Sequence, residues 1–310
     1  MTLVAANNIQ IEYESFGDPE NPAVLLIIGL GGQLVEWETW FCDTIASHGF
    51  FVVRFDNRDA GLSTKVDGAG VPNLVKAAQK LFTGQTLTPP YTLADMADDT
   101  VGLLDTLHIK KAHVCGMSMG GMIAQTLAIQ HPHRLHSLTS IYSATGDPGL
   151  PPPEPKAMEI LIKPNPMERS ANIEHVINTY RVLAGSGIPF DEAFHRHMAA
   201  RAYDRAFCPQ GTARQLMAVW AQSDRSKALS TVNVPALVIH GDEDPLVHPQ
   251  GGQNTADALP DARLVIINGM GHELPAQNRY WEKIASEMLA HLKNCGSPRK
   301  ASIRSLKGLR

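Results

Sequence analysis

Long apolar runs, closely spaced cysteines and low-complexity segments are all missing from this sequence. No apolar run approaches the roughly 20 residues needed to cross a bilayer, and residues 1–8 lack the basic start and apolar stretch of a secretory signal. The four cysteines lie far apart without C-x-x-C spacing, which is typical of reduced thiols rather than of a zinc site or a disulfide framework. We therefore expect a cytoplasmic protein with no membrane partner.

An excess of positive charge is also missing, because 27 Lys and Arg face 31 Asp and Glu for a net charge of −4. This balance gives no reason to expect a nucleic-acid partner. Residues 293–310 are the exception, since they contain six Lys or Arg and no acid. We interpret this segment as a basic, solvated C-terminal tail.

Short apolar runs alternate with helical patterns along much of the chain. The runs are rich in β-branched residues and bounded by Gly, Asp or Pro, and they cover residues 23–28, 50–55, 112–115, 138–142, 236–240 and 264–267. Such runs predict a mostly parallel sheet covered by helices on both faces. The segment Thr92–Asp95 predicts a capped helix to about Leu107, and Met119–Gln130 predicts another helix. The alternating segment Ile9–Glu14, followed by residues 17–19, predicts an antiparallel hairpin that leads into the sheet.

This alternation stops after Ser143 and resumes only at Ala236. Seven of the 21 prolines lie between residues 148 and 166, which is incompatible with a central strand. Helical patterns follow over residues 173–183, and Thr212–Gln215 predicts a capping box ahead of a further helix. We therefore predict a helical lid over residues 145–228, inserted into a core domain that comprises residues 1–144 and 229–292.

The sequence Gly116-Met-Ser118-Met-Gly120 places one serine between two glycines, directly after an apolar run and directly before a helix. This context predicts a sharp turn with positive φ that presents the Ser118 hydroxyl at the carboxyl edge of the sheet. The two glycines let the strand and the helix approach each other there. Cys115 lies inside the strand, and a buried thiol is the weaker candidate for a nucleophile.

A serine hydroxyl needs a base and an orienting carboxylate, and both follow downstream. One apolar run ends in the acidic loop that contains Asp242 and Asp244, and the next ends in a glycine-containing loop that carries His272. The order of serine, acid and histidine is that of the α/β-hydrolases, and His248 lies in the wrong place for this order. The predicted catalytic residues are therefore Ser118, one of the two aspartates and His272.

Over about residues 20–292 the sequence resembles the α/β-hydrolase superfamily, in its branch of lidded esterases and cofactor-free haloperoxidases, and it is close in motif to the aclacinomycin methylesterases. The resemblance implies an α/β-hydrolase fold: a mostly parallel sheet with helices on both faces and an inserted helical lid. In that family the acid is typically the fourth residue counted from the strand-ending glycine, which implies Asp244, with Asp242 as the alternative. Asp242 and Glu243 would then face solvent or cap the following helix.

An acyl-transfer site also needs donors for the developing oxyanion, and the resemblance assigns them to the backbone N–H groups of Leu30 and Met119. The family commonly has His-Gly before the first donor, whereas this chain has Ile28-Gly29. The nearby glycines lack the pattern of a phosphate or dinucleotide loop, so we expect neither a cofactor nor a metal. Residues 55–63 resemble a structural turn of the family in which Asp56 and Arg58 hold loops, with Asp59 where glycine is usual.

The predicted function is that of a serine carboxylesterase that hydrolyses small to medium esters through an acyl-enzyme. The partner is a small-molecule ester, bound between the strand edge and the lid against apolar residues such as Trp37, Met158, Leu161, Met198, Met217 and Trp220. A perhydrolase or haloperoxidase, a lactonase or another acyl hydrolase would use the same triad. A small-molecule receptor on a hydrolase fold is the non-enzymatic alternative.

Overall fold

The computed structural model describes residues 1–296. Its strands are β1 Thr2–Ala6, β2 Ile9–Phe16, β3 Ala23–Ile27, β4 Phe51–Phe55, β5 Ala112–Met117, β6 Leu135–Ile141, β7 Ala236–Gly241 and β8 Ala262–Ile267. Its helices are α1 Thr39–Ala46, α2 Leu74–Phe82, α3 Leu93–Thr106, α4 Met119–Gln130, α5 Pro155–Ile162, α6 Arg169–Leu183, α7 Glu192–Arg205, α8 Pro209–Trp220, α9 Ser226–Leu229, α10 Gln250–Ala258 and α11 Arg279–Gly296. A short 3-10 turn, Leu34–Glu36, precedes α1.

The strands form one sheet in the order β1-β2-β4-β3-β5-β6-β7-β8. The pairs β1·β2 and β2·β4 are antiparallel, and all the other pairs are parallel. The strands β1 and β2 form the hairpin, and its turn consists of Asn7 and Asn8, which precede β2. Both residues adopt positive φ (47° and 63°), as a tight two-residue turn requires. Gly17 instead leads from β2 towards β3.

Helices cover both faces of the sheet, as predicted. On one face, α3, α4 and α10 pack over buried residues such as Leu25, Val114 and Val238. On the other, α1 and α11 enclose an aromatic cluster of Trp37, Phe41 and Trp281. Because the central strands are buried on both faces, their side chains are apolar almost throughout.

Five helices, α5 to α9, lie between β6 and β7. Helices α6 and α7 pack on each other around Ile173, Ile177 and Ala199, whereas the short α9 contacts α4 and α10. The predicted lid limit at residue 228 falls within α9. Among residues 1–296, no helix is both long and apolar enough to cross a membrane.

Two local predictions differ from the structure. Thr212–Gln215 is not a capping box, because α8 already begins at Pro209, where proline fits the first turn of a helix. Residues 293–296 belong to the end of α11, whereas the rest of the predicted basic tail, residues 297–310, lies outside the described residues.

Candidate active site

Ser118 occupies the sharp turn between β5 and α4, with φ 53° and ψ −122°. Both neighbouring glycines are required by close backbone contacts. A Cβ at Gly116 would lie 2.0 Å from the Gly120 carbonyl oxygen, and one at Gly120 would lie 2.1 Å from the Ile27 carbonyl oxygen. The helix therefore packs directly against its own strand and against β3, which fixes the turn and presents the Ser118 hydroxyl at the carboxyl edge of the sheet.

The structure brings together the three side chains that the sequence predicted. His272 Nε2 lies 2.9 Å from Ser118 Oγ, and His272 Nδ1 lies 2.8 Å from Asp244 Oδ2. Asp244 follows β7, and His272 follows β8, so each side chain comes from the end of a different strand. Asp244 is 4% exposed and His272 is 7% exposed, which removes most competing water from the hydrogen bonds between them.

Further contacts hold the Asp244 carboxylate in its ionised form. Its Oδ1 accepts hydrogen bonds from the backbone N–H groups of Leu246 and Val247 at 2.9 and 2.8 Å. Burial by itself would raise the pKa of Asp244, but the neighbouring His272 and His240 outweigh burial and hold that pKa below its usual range. An ionised Asp244 can accept a hydrogen bond from the Nδ1–H group of His272, which leaves Nε2 of the ring able to accept a proton from Ser118.

The rival residues have other contacts. Asp242 and Glu243 are exposed, as predicted, but neither caps a helix. Asp242 accepts a hydrogen bond from the Gly269 N–H at 2.6 Å, and Glu243 binds the backbone N–H and hydroxyl of Ser186. His248 is exposed, and its Nδ1 accepts a hydrogen bond from the Gln250 N–H.

Two residues near His272 escaped the sequence analysis. Tyr142 follows β6 with φ 35°, and its ring centroid lies 4.3 Å from that of His272. Its hydroxyl donates a hydrogen bond to the Glu273 carbonyl oxygen at 2.9 Å, so Tyr142 holds the backbone of the loop that carries His272. His240, the residue before the strand-ending glycine, has Nε2 at 3.3 Å from Asp244 Oδ2. The only sequence signal for either was a polar residue at the end of a buried strand.

The predicted oxyanion donors lie on two elements that meet at Ser118. A Cβ at Gly29 would lie 3.8 Å from Ser118 Oγ, so the loop that carries Leu30 passes directly beside the hydroxyl. Met119 is the first residue of α4. Within residues 1–296, neither the Leu30 N–H nor the Met119 N–H donates to a protein acceptor. Both groups are therefore available to a ligand.

A buried amide from α8 holds the loop that carries Leu30. Gln215 Oε1 accepts a hydrogen bond from the Gly31 N–H at 2.8 Å, while Gln215 Nε2 donates to the Arg58 carbonyl oxygen at 2.7 Å. Gln215 is fully buried, so water does not compete for these bonds. The sequence pattern suggested a helix cap at this residue, whereas its side chain connects α8 to the loop that carries Leu30.

The loop that carries His272 is hydrogen-bonded to the end of α6 and to the residues that follow it. The His272 N–H donates to the Leu183 carbonyl oxygen at 2.7 Å, and Glu273 Oε1 accepts from the Gly185 N–H at 3.1 Å. Gly271 must lack a side chain because a Cβ there would lie 2.2 Å from the Leu183 carbonyl oxygen. The end of α6 therefore fixes the backbone on both sides of the imidazole.

The turn after β4 is structural, as expected. Asp56 accepts hydrogen bonds from two backbone N–H groups and from Arg205 of α7, and Arg58 pairs with Asp99 in a bidentate contact at 2.6 Å. Asp59, where the family usually has glycine, keeps the glycine-like φ of 67°. Its buried carboxylate binds Arg214 of α8 through two hydrogen bonds, at 2.8 and 2.7 Å.

Two further expectations can be compared with the structure. Burial raises the pKa of the Cys115 thiol, which disfavours the thiolate form that a cysteine nucleophile needs. Trp37 was expected to contact the substrate, but it is fully buried in the aromatic cluster beneath α1 and α11. The chain turns into the core before this residue, since Leu34 and Val35 are also buried.

Comparison with known proteins gives consistent relatives. The chain is 28% identical to a rhodomycin D methylesterase from Streptomyces sp. (strain C5), covering 93% of this chain and 97% of that protein. It is 24% identical to 3-oxoadipate enol-lactonase 2 from Acinetobacter baylyi, covering 85% and 87%. A meta-cleavage product hydrolase structure from Pseudomonas fluorescens aligns with a TM-score of 0.74 at 17% identity, covering 95% and 98%.

The family comparison covers most of the chain. Residues 22–179 and 192–278 match the family described as having the alpha/beta hydrolase fold. The expected resemblance is confirmed by this match and by the similar methylesterase. With its mostly parallel sheet, the serine turn after β5 and the order of the site loops, the chain belongs to the α/β-hydrolase family.

Proposed function

We propose that this protein is a serine esterase that hydrolyses carboxylic esters through an acyl-enzyme. The observation that carries the proposal is the continuous set of hydrogen bonds from Asp244 through His272 to Ser118, with separations of 2.8 and 2.9 Å. This arrangement pairs a nucleophile with a base, and the base with an orienting acid. The similarity to a methylesterase and to an enol-lactonase supports an ester as the substrate, since a lactone is a cyclic ester.

In the proposed reaction, His272 Nε2 takes the proton from Ser118 Oγ as the oxygen attacks the ester carbonyl carbon. The carbonyl oxygen becomes an oxyanion, which accepts hydrogen bonds from the Leu30 and Met119 N–H groups. The imidazolium, stabilised by Asp244, then protonates the leaving alcohol. The products of this half-reaction are the alcohol and an ester between the acyl group and Ser118.

The second half-reaction repeats these roles with water. His272 removes a proton from the water as it attacks the acyl carbon, and the proton returns to Ser118 Oγ when the acyl–oxygen bond breaks. Both N–H donors belong to the backbone, so the missing histidine before Gly29 does not remove a hydrogen bond from the oxyanion. Hydrolysis of a lactone follows the same steps, except that the alcohol and the acid remain in one molecule.

The experiment is to measure hydrolysis of p-nitrophenyl esters of increasing acyl length by the wild type, Ser118→Ala and Ser143→Ala. Ser143 provides a matched control because it is a buried serine whose hydroxyl has no hydrogen-bond partner within residues 1–296. We expect Ser118→Ala to lose at least about a thousandfold in kcat/KM and Ser143→Ala to remain near the wild type. Equal rates for the wild type and Ser118→Ala on every ester would overturn the proposal.

A panel of small lactones, measured in a pH-stat, tests the second candidate activity. The similarity to the enol-lactonase is the observation that favours it. Ser118-dependent turnover that is faster on lactones than on open-chain esters of the same size would assign the protein as a lactonase.

A further inference from the structure

A second histidine, His240, lies beside Asp244, and the proposed acyl transfer gives it no step. His240 belongs to β7 and directly precedes the glycine that ends this strand. It pairs with Ile266 of β8, and β7 lies between β6 and β8 in the sheet. His240 is 0% exposed. Its imidazole is therefore carried by a buried strand of the sheet, which fixes a side chain more precisely than a loop does.

One ring nitrogen of His240 contacts the loop that carries Asp244. Its Nε2 lies 2.8 Å from the Val247 carbonyl oxygen and 3.3 Å from Asp244 Oδ2. A carbonyl oxygen can only accept a hydrogen bond, so the shorter contact requires a proton on Nε2. This N–H group is therefore a donor to Val247, and its positive end also lies beside the Asp244 carboxylate.

The other ring nitrogen of His240 has no partner. Within residues 1–296, Nδ1 makes no hydrogen bond, and it is enclosed by protein. Helix α10 closes this side of the ring, since a Cβ at Gly252 would lie 2.6 Å from Nδ1. A proton on Nδ1 would form a buried N–H group without an acceptor, which is costly. The surroundings therefore favour the neutral ring with its proton on Nε2.

Val247 connects the His240 ring to Asp244 by a second route. The Val247 carbonyl oxygen accepts the hydrogen bond from His240, and the Val247 N–H donates to Asp244 Oδ1 at 2.8 Å. The ring thus fixes the peptide chain that holds one carboxylate oxygen. It also lies beside the other oxygen, Oδ2, which His272 Nδ1 contacts at 2.8 Å. The orientation of the carboxylate towards His272 therefore depends on His240 at both oxygens.

We infer that His240 is a positioning residue of the esterase, because its neutral Nε2–H group holds Val247 and Asp244 so that the carboxylate faces His272. This inference rests on the proposed esterase function. A neutral donor suits this place for an electrostatic reason. A second positive charge beside Asp244 would disfavour the imidazolium that forms on His272 during acyl transfer, whereas a neutral N–H group holds the carboxylate without that cost.

The donor assignment is tested in the wild type by long-range ¹H–¹⁵N NMR of protein labelled with ¹⁵N-histidine. The signals of His240 are assigned from their nuclear Overhauser contacts with Gly252 and from their loss in His240→Gln. Near neutral pH we expect a neutral ring with its proton on Nε2. A proton on Nδ1, or protons on both nitrogens, would overturn the assignment.

Two substitutions separate hydrogen-bond donation from packing. His240→Gln keeps an N–H group near the position of Nε2, whereas His240→Met fills a similar volume without a donor. For the best p-nitrophenyl ester, kcat should fall at least about tenfold in His240→Met and stay within about threefold of the wild type in His240→Gln. Because His272 acts as the base in both half-reactions, KM should change less than about twofold in either variant.

His113 provides a matched control at the opposite edge of the sheet. It is 3% exposed, and its Nδ1 lies 2.8 Å from Ser137 Oγ. It lies near the start of β5, whereas Ser118 follows the end of that strand. His113→Met also removes a buried polar contact, so it should lower the free energy of unfolding, but its kcat should stay within about twofold of the wild type. All rates are divided by the concentration of active serine, titrated with a fluorophosphonate, so that unfolded protein is not counted.

The outcomes distinguish this inference from the proposed function. If hydrolysis depends on Ser118 while His240→Met keeps the wild-type kcat, the positioning role is wrong and the esterase stands. The same conclusion follows if His240→Gln loses as much kcat as His240→Met, or if His113→Met loses as much. Absence of any Ser118-dependent hydrolysis in the wild type would overturn the esterase function, and this inference with it. The NMR measurement on the wild type decides the donor assignment even if a substituted protein does not fold.

Discussion

The buried ion pair between Asp59 and Arg214 connects the turn after β4 to α8, and its removal should be costly. Asp59 and Arg214 are each 1% exposed. The carboxylate also accepts hydrogen bonds from the Tyr91 hydroxyl at 2.7 Å and from the Val66 N–H at 2.8 Å. Asp59→Asn is the informative change, because asparagine has the same shape and tolerates the positive φ of 67°.

Removing the charge of Asp59 leaves the Arg214 guanidinium buried without its main partner. Breaking a buried pair in this way costs about 3–5 kcal/mol. Asp67, whose Oδ1 lies 3.3 Å from Arg214 Nη2, offers partial compensation from a largely exposed position. We therefore expect the free energy of unfolding to fall by about 3 kcal/mol, at the lower end of that range.

An ion pair between α6 and α7 supplies a matched control with similar geometry and different exposure. Arg169 and Asp204 also form two hydrogen bonds, both at 2.6 Å, but their side chains are 49% and 56% exposed. Solvent screens such a pair, so Asp204→Asn should leave the stability at the wild-type level. Chemical unfolding followed by far-UV circular dichroism measures both variants under the same conditions.

The effect of Asp59→Asn should also depend on pH. Burial by itself would raise the pKa of Asp59, but Arg214, the Val66 N–H and the Tyr91 hydroxyl lower it overall. The contribution of the ionised form is complete above the unfolded-state pKa of about 3.9 and is lost as the pH falls through the folded-state value. The difference in stability between the wild type and Asp59→Asn should therefore shrink below about pH 4. Equal losses of unfolding free energy in Asp59→Asn and Asp204→Asn would refute this reasoning. So would a stability difference between the wild type and Asp59→Asn that does not change with pH.

Two further predictions concern catalysis. Gln215→Met removes the acceptor that holds the Gly31 N–H. The kcat for p-nitrophenyl acetate should therefore fall about 10- to 100-fold, with a smaller change in KM. A change confined to KM would count against a role for Gln215 in positioning the loop that carries Leu30. Asp244→Asn should reduce kcat about 10³- to 10⁴-fold because the His272 tautomer is no longer fixed, whereas Asp242→Asn should remain within about threefold of the wild type. Comparable losses in the two aspartate variants would contradict the choice of Asp244.

The parts of the fold that were predictable from sequence depend on short-range patterns. The central strands are buried on both faces, so their apolar runs gave their positions within a few residues. The positions of Ser118 and His272 could be predicted because each follows a strand, and parallel strands bring their carboxyl ends to one edge. Asp244 could be chosen over Asp242 only by resemblance, because both aspartates lie in the same loop.

The parts that were not predictable depend on contacts between distant segments. Gln215 lies 184 positions from its partner Gly31, and Asp59 lies 155 positions from Arg214. A local pattern cannot reveal such pairs, and for Gln215 it suggested a helix cap instead. The one visible signal for the Asp59–Arg214 pair was Asp59 itself, which replaces the glycine usual in the family. A side chain in the left-handed region is strained, and contacts with its surroundings must offset that strain.

The central claim is that Ser118 is acylated by substrate with His272 as its base. The most direct measurement is intact-protein and peptide mass spectrometry after treatment with a fluorophosphonate, which forms a stable bond to an activated serine. The account predicts one adduct per chain on the peptide that contains Ser118, strongly slowed labelling in His272→Ala, and no adduct in Ser118→Ala. An adduct on another residue with Ser118 unmodified, or labelling at the same rate without His272, would contradict it.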